Sequence, residues 1–304
     1  MAEMDHITVC IPTFRRNRLL ERLLRSLARQ DTGRLFQISV VVVDNDCAGP
    51  ARELVMRLAT ELKLSIAYGI EENRNIAVVR NHALSLANGN YIGIIDDDEF
   101  APPTWLLTLY QAIQTFEVDG ALGPVYPFFT QAPPGWLVRS GLCELPAYRT
   151  GTLLHWGQTR TGNVLLRKDV FDQHSLRFDT DFKTGGSDQD FFKRAMALGY
   201  RFVAVEEAPV YEVVPPARWT RKYWIKRALV NGYNARRYAA GTGALQQLAL
   251  AVKSLLAAVI YTSALPLCAS VGQHRLMQCA EKCAYHVSRF SAALGLELWK
   301  KRDF

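Results

Sequence analysis

Four acids stand in a row at Asp96-Asp97-Asp98-Glu99, directly after the apolar run Tyr91-Ile92-Gly93-Ile94-Ile95. Adjacent carboxylates repel one another, so something cationic should compensate them. At the carboxyl end of a strand Asp96 and Asp98 point the same way, and their hard oxygens suit a divalent ion such as Mg2+ or Mn2+. The plainer alternative, a solvated acidic turn, is weakened by the buried strand in front of it. A second cluster is Thr184-Gly185-Gly186-Ser187-Asp188-Gln189-Asp190-Phe191-Phe192. Two glycines let backbone approach a ligand closely, and the carboxylates fall at a helix N-terminus whose dipole keeps them ionised. An ionised aspartate beside a hydroxyl is a general base, unless Ser187 and Asp188 merely cap the helix. Third, the run Glu72 to Asn81 puts Arg80 in the first turns of a helix, where it either meets a diphosphate or faces solvent.

The elements that must position these groups alternate along the chain. Ile7 to Ile11 is β-rich and ends at Pro12, and Leu19, Leu20, Leu23, Leu24 and Leu27 follow at helical spacing. Ile38 to Val43 is a buried strand ending at Asp44-Asn45-Asp46. A helix over Ala51 to Leu62, a strand over Ser65 to Ile70, a helix over Ala77 to Leu86 and the strand Tyr91 to Ile95 continue the pattern. Such alternation implies a mostly parallel, doubly wound sheet with ligands at the carboxyl ends of its strands. Further on, a helix is expected at Trp105 to Phe116 and a strand at Asn163 to Leu166. Ser187 should cap a helix over Asp188 to Leu198, followed by strands at Phe202 to Val205 and Val210 to Val214 and a basic helix at Trp219 to Tyr238.

With 304 residues, 49% of them hydrophobic and 21% charged, the chain can build a sizeable core. That balance excludes dominant disorder, collagen, coiled coil and disulfide scaffold. Its net charge of +7 is uneven: residues 213–304 carry 14 Lys/Arg against 3 Asp/Glu, leaving the preceding part at −4. An acidic catalytic body with a basic tail that faces phosphate or a membrane surface fits this division. Six cysteines without a CxxC pair suggest a reducing compartment, and Met1 to His6 does not begin a signal peptide. The sequence contains no GxGxxG after a strand, no GxxxxGK[ST], no HExxH and no GxSxG, so dehydrogenase, P-loop NTPase, zincin and α/β-hydrolase lose their main support.

Taken in order, six pieces resemble the inverting family 2 glycosyltransferases with a GT-A fold: Ile11-Pro12-Thr13-Phe14-Arg15-Arg16, Val43 to Asp46, Asn73 to Asn81, Ile94 to Glu99 with Trp105-Leu106, Gly162-Asn163 before Leu165-Leu166-Arg167, and Gly185 to Phe192. The resemblance covers Ile7 to Tyr238. Ala121-Leu122-Gly123-Pro124-Val125, Ala132-Pro133-Pro134-Gly135-Trp136 and Arg160-Thr161-Gly162-Asn163 are similar to the succinoglycan-type exopolysaccharide glucosyltransferases. The resemblance implies a GT-A catalytic domain over residues 1–215, with a nucleotide-binding half (1–100) and an acceptor half (101–215), then a basic helical region over 216–304. It implies that Pro12, Thr13, Arg15, Asp44, Asn73, Arg80, Asp96 and Asp97 line the nucleotide-sugar, that Asp98 and Asp96 hold Mg2+ or Mn2+, and that Asp188 is the base. Asn163, Asp190 and Trp136 would face the acceptor, a lipid-linked or oligosaccharide chain. Two departures stand out: Ser187 precedes Asp188 where the family often has Glu, and Tyr211 stands where relatives often carry a His before Glu212.

Two other functions fit parts of the sequence. A nucleotidyltransferase shares strand-end aspartates and a metal, but it needs a glycine-rich loop after its first strand, where this chain has Pro12 to Arg16. A nucleic-acid-binding protein would use the basic helix with Trp219, Tyr223, Trp224 and Tyr233 stacking bases, although the apolar run beyond it favours a membrane over nucleic acid. That run, Leu248 to Val271, meets the roughly 20 residues a helix needs to cross a bilayer. Lys253 and Pro266 interrupt it, and Arg236, Arg237, His274 and Arg275 flank both ends, so it should lie in or along the inner leaflet unless it is an ordinary helical hairpin. An amphipathic helix or two should then fill Gln273 to Arg302.

Overall fold

The first strand, β1 (Asp5–Thr13), is buried on both faces from Ile7 onward, which only a sheet covered on both sides allows. The computed structural model of the protein describes residues 4–182, 185–238 and 243–296. After β1 come α1 (Asn17–Leu27), β2 (Phe36–Asp44), α2 (Arg52–Leu62), β3 (Ser65–Ile70), α3 (Ile76–Leu86), β4 (Tyr91–Ile95), the two-residue β5 (Glu99–Phe100) and α4 (Trp105–Phe116). The chain continues through β6 (Gly120–Leu122), β7 (Val125–Phe128), α5 (Gly135–Ser140), β8 (Asn163–Arg167), α6 (Asp169–Asp172), α7 (Ser187–Ala197), β9 (Phe202–Ala204) and β10 (Val210–Val213). Three long helices end it: α8 (Arg221–Tyr238), α9 (Ala244–Val271) and α10 (Gln273–Ala293).

Seven strands form the main sheet in the order β3-β2-β1-β4-β8-β6-β9, and β5-β10-β7 form a second, three-stranded sheet. Pairing is parallel from β3 to β4, as the strand-helix alternation requires, while β8 runs antiparallel to β4 and β6. The two-residue side-chain period of β1 divides the core. Ile7, Val9 and Ile11 pack with Leu20, Leu23, Leu24, Val55, Leu58, Leu106 and Leu109 of α1, α2 and α4. Cys10 faces the other way, with Val79 and Ala83 of α3 and Phe191, Phe192 and Ala195 of α7. The mostly parallel, helix-flanked α/β fold with a C-terminal apolar helix is therefore present.

The chain divides into two compact units: 1–128 with 145–213, and 129–144 with 214–304. The stretch 129–144, which the sequence placed with the catalytic domain, groups with the C-terminal helices. Within that second unit Leu137, Trp224 and Met277 form a small core with Trp136 and Trp219 at its margin. The helix of α9 runs unbroken through Pro266, which the sequence took as an interruption. Its outer side exposes Leu248, Val252, Leu256, Val259, Ile260, Leu267 and Val271, at spacings of three, four and seven residues that share one face. The opposite side packs on α10, where Cys279 Sγ donates to the Tyr261 carbonyl at 3.1 Å and the Tyr261 ring stacks on His286 at 5.8 Å. Of the expected Gln273 to Arg302 helix, α10 accounts for Gln273–Ala293, and residues 297–304 lie outside the described residues.

Candidate active site

Strand register gathers the predicted groups at one sheet edge. Thr13 at the end of β1 is level with Asp44 at the end of β2, and the last residue of β4, Ile95, pairs with the first residue of β8, Asn163. The acidic run after β4 turns back immediately into β5, and its side chains take different partners. Thr13 Oγ1 donates to Asp97 Oδ2 at 2.8 Å, and the Phe14 N–H reaches the same oxygen at 3.4 Å. Arg16 Nη1 bridges Asp97 Oδ1 at 3.0 Å and Asp98 Oδ2 at 2.9 Å. Arg80 Nη2 donates to Asp96 Oδ1 at 3.2 Å, while its buried Nε has no hydrogen-bond partner. Desolvation pushes the Asp97 carboxyl above its ordinary value, and Arg16 and Thr13 pull it back.

Spacing along the sequence gives Arg16 no role. Its contact to residues more than 80 positions away follows from sheet register, which spacing along the chain does not display. Arg15, which was assigned one, takes a left-handed φ of 54° at the strand exit and is hydrogen-bonded to Asp46, whose carboxyl it holds below the usual range. A non-glycine residue held there marks a constrained turn at the candidate site. The guanidinium groups of Arg15 and Arg74 lie over the Phe14 ring, 5.2 and 5.4 Å from its centroid. Pro12 is buried within β1, opposite Val43.

Asp44 and Asn163 are placed as framework. Asp44 is 0% exposed; Oδ2 accepts from the Ala51 N–H at 3.0 Å and Tyr68 at 2.9 Å, and Oδ1 accepts from the Asp46 N–H. Asn163 is equally buried: Oδ1 accepts from Trp105 Nε1 at 2.7 Å, and Nδ2 donates to the carbonyls of Pro124 and Ala208. That set ties β8 to α4 and to the loops after β6 and before β10, and leaves no acceptor-facing atom. Asn73 is exposed. Asn75, which caps α3 by accepting from the Ala77 N–H, donates to the Thr180 carbonyl, and Asn81 exchanges two hydrogen bonds with Phe178. These two asparagines hold the loop that leads toward α7.

Asp188 lies in the first turn of α7, half-buried. The helix starts at Ser187, a buried residue that makes no capping bond. Gly186 takes the cap position with φ 99°, next to Gly185 at 101°, which explains why two glycines stand there. Thr184 lies outside the described residues. Asp190, expected on the acceptor side, is paired with Arg194 at 2.7 Å one turn along the same helix. Glu99 is buried behind the acidic run, its Oε2 accepting from the Asp96 N–H at 3.0 Å. Burial first, then Asp96, Asp98 and Glu212, push its carboxyl well above the ordinary value. Gly162 makes this packing possible, because a Cβ there would come within 2.6 Å of Glu99 Oε1.

The surplus of carboxylates bears on the metal. Asp96, Asp98 and Glu212 all act on Glu99, and all present hard oxygens, the donor type that Mg2+ and Mn2+ prefer. Asp96 retains 37% of its side-chain exposure, so it stays open to a ligand. Among the described residues no three side chains stand arranged as a ligand set. Asp96 and Asp98 are the residues that would offer their oxygens to such an ion.

In the second unit, Trp136 sits 6.0 Å from the Arg221 guanidinium. Trp224 is only 4% exposed, and Trp219 donates its indole N–H to the Val214 carbonyl. Of the four aromatics expected on the basic helix, Trp219 lies just before α8 and Trp224 is packed inside the unit.

The family model described as glycosyl transferase family 2 matches residues 8–177. Succinoglycan biosynthesis protein ExoM of Rhizobium meliloti (strain 1021) is 34% identical over 236 residues, 76% of this chain and 74% of that protein. Succinoglycan biosynthesis protein ExoU of the same organism is 29% identical over 161 residues, 47% of this chain and 44% of that one. Among solved structures, the mannosyltransferase PcManGT from Pyrobaculum calidifontis, in complex with GDP-Man and Mn2+, matches with a TM-score of 0.63 at 21% identity, covering 95% of this chain and 88% of that chain. TarS 1–349 of S. aureus, in complex with UDP-GlcNAc, matches with a TM-score of 0.58 at 15% identity, covering 95% and 92%. Both likenesses show the fold.

Proposed function

The chain belongs to glycosyl transferase family 2, and from that premise we propose that it is an inverting, metal-assisted enzyme that moves glucose from UDP-glucose onto a lipid-linked saccharide in surface or exopolysaccharide synthesis. That it is a glycosyltransferase related to exopolysaccharide biosynthesis enzymes follows from the family match and the 34% identity to ExoM. The observation that supports a donor site at the strand ends is the convergence of Thr13, Arg16 and Arg80 on Asp96, Asp97 and Asp98. Support for a uridine donor comes from the TarS likeness and for a metal from the PcManGT likeness, since their solved complexes contain UDP-GlcNAc and GDP-Man with Mn2+.

In this reading Thr13, Arg15, Asn73, Arg80, Asp96 and Asp97 bind and orient the nucleotide-sugar, and buried Asp44 keeps the loop after β2 in shape beneath it. Asp98, with Asp96, would hold Mg2+ or Mn2+, which offsets the charge that develops on the leaving diphosphate. The Asp188 carboxylate takes the proton of the acceptor hydroxyl as its oxygen attacks the anomeric carbon from the side opposite the nucleotide. A new C–O bond forms, the bond to the diphosphate oxygen breaks with its electron pair going to the nucleoside diphosphate, and the proton stays on Asp188. The second unit keeps the enzyme at the cytoplasmic face of the inner membrane, peripheral or monotopic, where a lipid-linked acceptor presents its sugar.

A donor screen tests this. Nucleoside diphosphate release is measured across UDP-, GDP- and dTDP-sugars with Mn2+ or Mg2+; UDP-glucose should give the fastest release and EDTA should stop it. Release from GDP-sugars alone overturns the donor, and no release from any sugar nucleotide overturns the activity.

A further inference from the structure

Residues 176–182, between α6 and α7, have no regular secondary structure, so their backbone groups need partners from elsewhere. Asn81 of α3 supplies two at once: Nδ2 donates to the Phe178 carbonyl at 2.8 Å, and Oδ1 accepts from the Phe178 N–H at 2.9 Å. Asn75, at the cap of the same helix, donates to the Thr180 carbonyl at 2.6 Å. A carboxamide presents a donor and an acceptor side by side, which lets one side chain hold both polar groups of a residue. An aspartate of the same shape would set an oxygen against the Phe178 carbonyl.

The clamped segment is in turn a seat for α7. The Phe178 ring, only 2% exposed, stacks on Phe191 of α7 with centroids 4.6 Å apart and planes 27° apart. Arg194 Nη2, on the same helix, donates to the Arg177 carbonyl at 2.8 Å. Phe191 stands three residues beyond Asp188, about one turn along the same helix. The chain enters α7 through Gly185 and Gly186, both at left-handed φ, and residues of such conformational freedom give the helix start little hold of their own. The floor under Phe191 and Arg194 therefore bears on where the first turn, with Asp188, stands. The residue before Asn81 serves the donor side: Arg80 donates to Asp96, and its guanidinium lies 5.6 Å from the Phe178 ring centroid. One turn of α3 thus reaches the acidic run with one side chain and the seat of α7 with the next.

We propose that Asn81 is a positioning residue for catalysis: its two hydrogen bonds to Phe178 set the seat of α7 so that Asp188 meets the acceptor hydroxyl. The inference rests on Asp188 being the base. It assigns Asn81 no contact with nucleotide or acceptor, which separates it from Arg80.

The test measures kcat, donor KM and UDP affinity in Mn2+ for the full-length enzyme, for Asn81→Asp and Asn81→Ser, and for each of these combined with Asp188→Asn. Thermal midpoints and amide hydrogen exchange over residues 187–190 accompany them. Misplacing a reacting group by about 1 Å costs about 10² in rate, so kcat of Asn81→Asp should fall by about that factor while donor KM and UDP affinity stay within about twofold. Amide exchange in the first turn of α7 should quicken in the same variant. In the Asp188→Asn enzyme the same substitution should change the residual turnover by less than about twofold, because the aim of a base no longer matters once the base is gone. Losses that multiply, an unmoved kcat, unchanged exchange in α7, or a loss carried by KM or UDP affinity would overturn the proposal. If Asn81→Asp does not fold, Asn81→Ser, which loses the clamp without opposing the Phe178 carbonyl, decides the question by the same readouts. Full turnover in Asp188→Asn sinks the base assignment, whereas a crippled Asp188→Asn beside Asn81 variants of full kcat sinks the role of Asn81 alone.

Discussion

Asp188 and Asp98 are both aspartates near the end of the same sheet, yet their loss should read differently. A base acts in the transition state, so Asp188→Asn should bind nucleotide-sugar normally while turnover falls by about 10² to 10⁴. Asp190→Asn is the comparator: its carboxylate is taken up by Arg194, and its loss should spare turnover. If the two variants exchange phenotypes in a paired assay of binding and turnover, the wrong carboxylate has been named. Asp98→Asn should instead weaken donor binding, and only when the metal is present, a difference that calorimetry with and without EDTA measures. These residues stand out in the sequence because a run of acids after an apolar strand, or after two glycines, is chemically costly without a purpose. Arg16, Asn75 and Asn81 were not, since what they do depends on partners that only tertiary register brings near. Asn163 was legible as a signal and misjudged in kind, because spacing does not reveal that Trp105 and two carbonyls absorb its amide.

At the scale of elements, the long strands and helices were readable from β-branched runs and leucine spacing, and β3, β4 and α4 fall where the pattern puts them. The strands β5, β6 and β7 have two to four residues each, too few for a period to show, and Pro127 inside β7 reads as a breaker. What defines β5 is its place between the acidic run and β10, where Glu99 pairs with Glu212 in register. Gly162 presses on that element from β8's side. Gly162→Ala would drive a Cβ into Glu99, which is buried and has little room to retreat. The expected cost is about 1–3 kcal/mol in stability, as for overpacking of a core, together with a fall in metal-dependent turnover because Asp96 and Asp98 move with Glu99. Urea denaturation and metal titration of the variant check both; an alanine variant with unchanged midpoint and unchanged metal dependence would show that the glycine is incidental.

For the whole molecule the open question is what covers α9. Among the described residues it is the one helix long and apolar enough to cross a membrane, and only 11% of its most apolar window is buried. Its 28 residues would measure about 42 Å, well beyond the roughly 30 Å of hydrocarbon. Length and composition alone would make it a span, but its two sides differ. One side carries Tyr261, Cys268 and Ser254 toward α10 or its own backbone, and the other carries the exposed aliphatic residues. A helix with one protein-facing side and one bare apolar side is suited to lie along a surface, its apolar side among acyl chains and its basic surroundings at the headgroups. Residues 213–304, with 14 Lys/Arg against 3 Asp/Glu, supply that positive charge. The expressed protein should therefore sediment with membranes, float with vesicles containing anionic lipid better than with neutral ones, and come off in alkaline carbonate. Replacing Leu256, Val259 and Ile260 by serine should abolish flotation, since each buried aliphatic side chain contributes about 1.5–3 kcal/mol, while the donor-binding half keeps its affinity for UDP. Release by detergent alone would mean that the helix is inserted, and a soluble pool that ignores vesicles of either composition would mean that α9 is covered by protein.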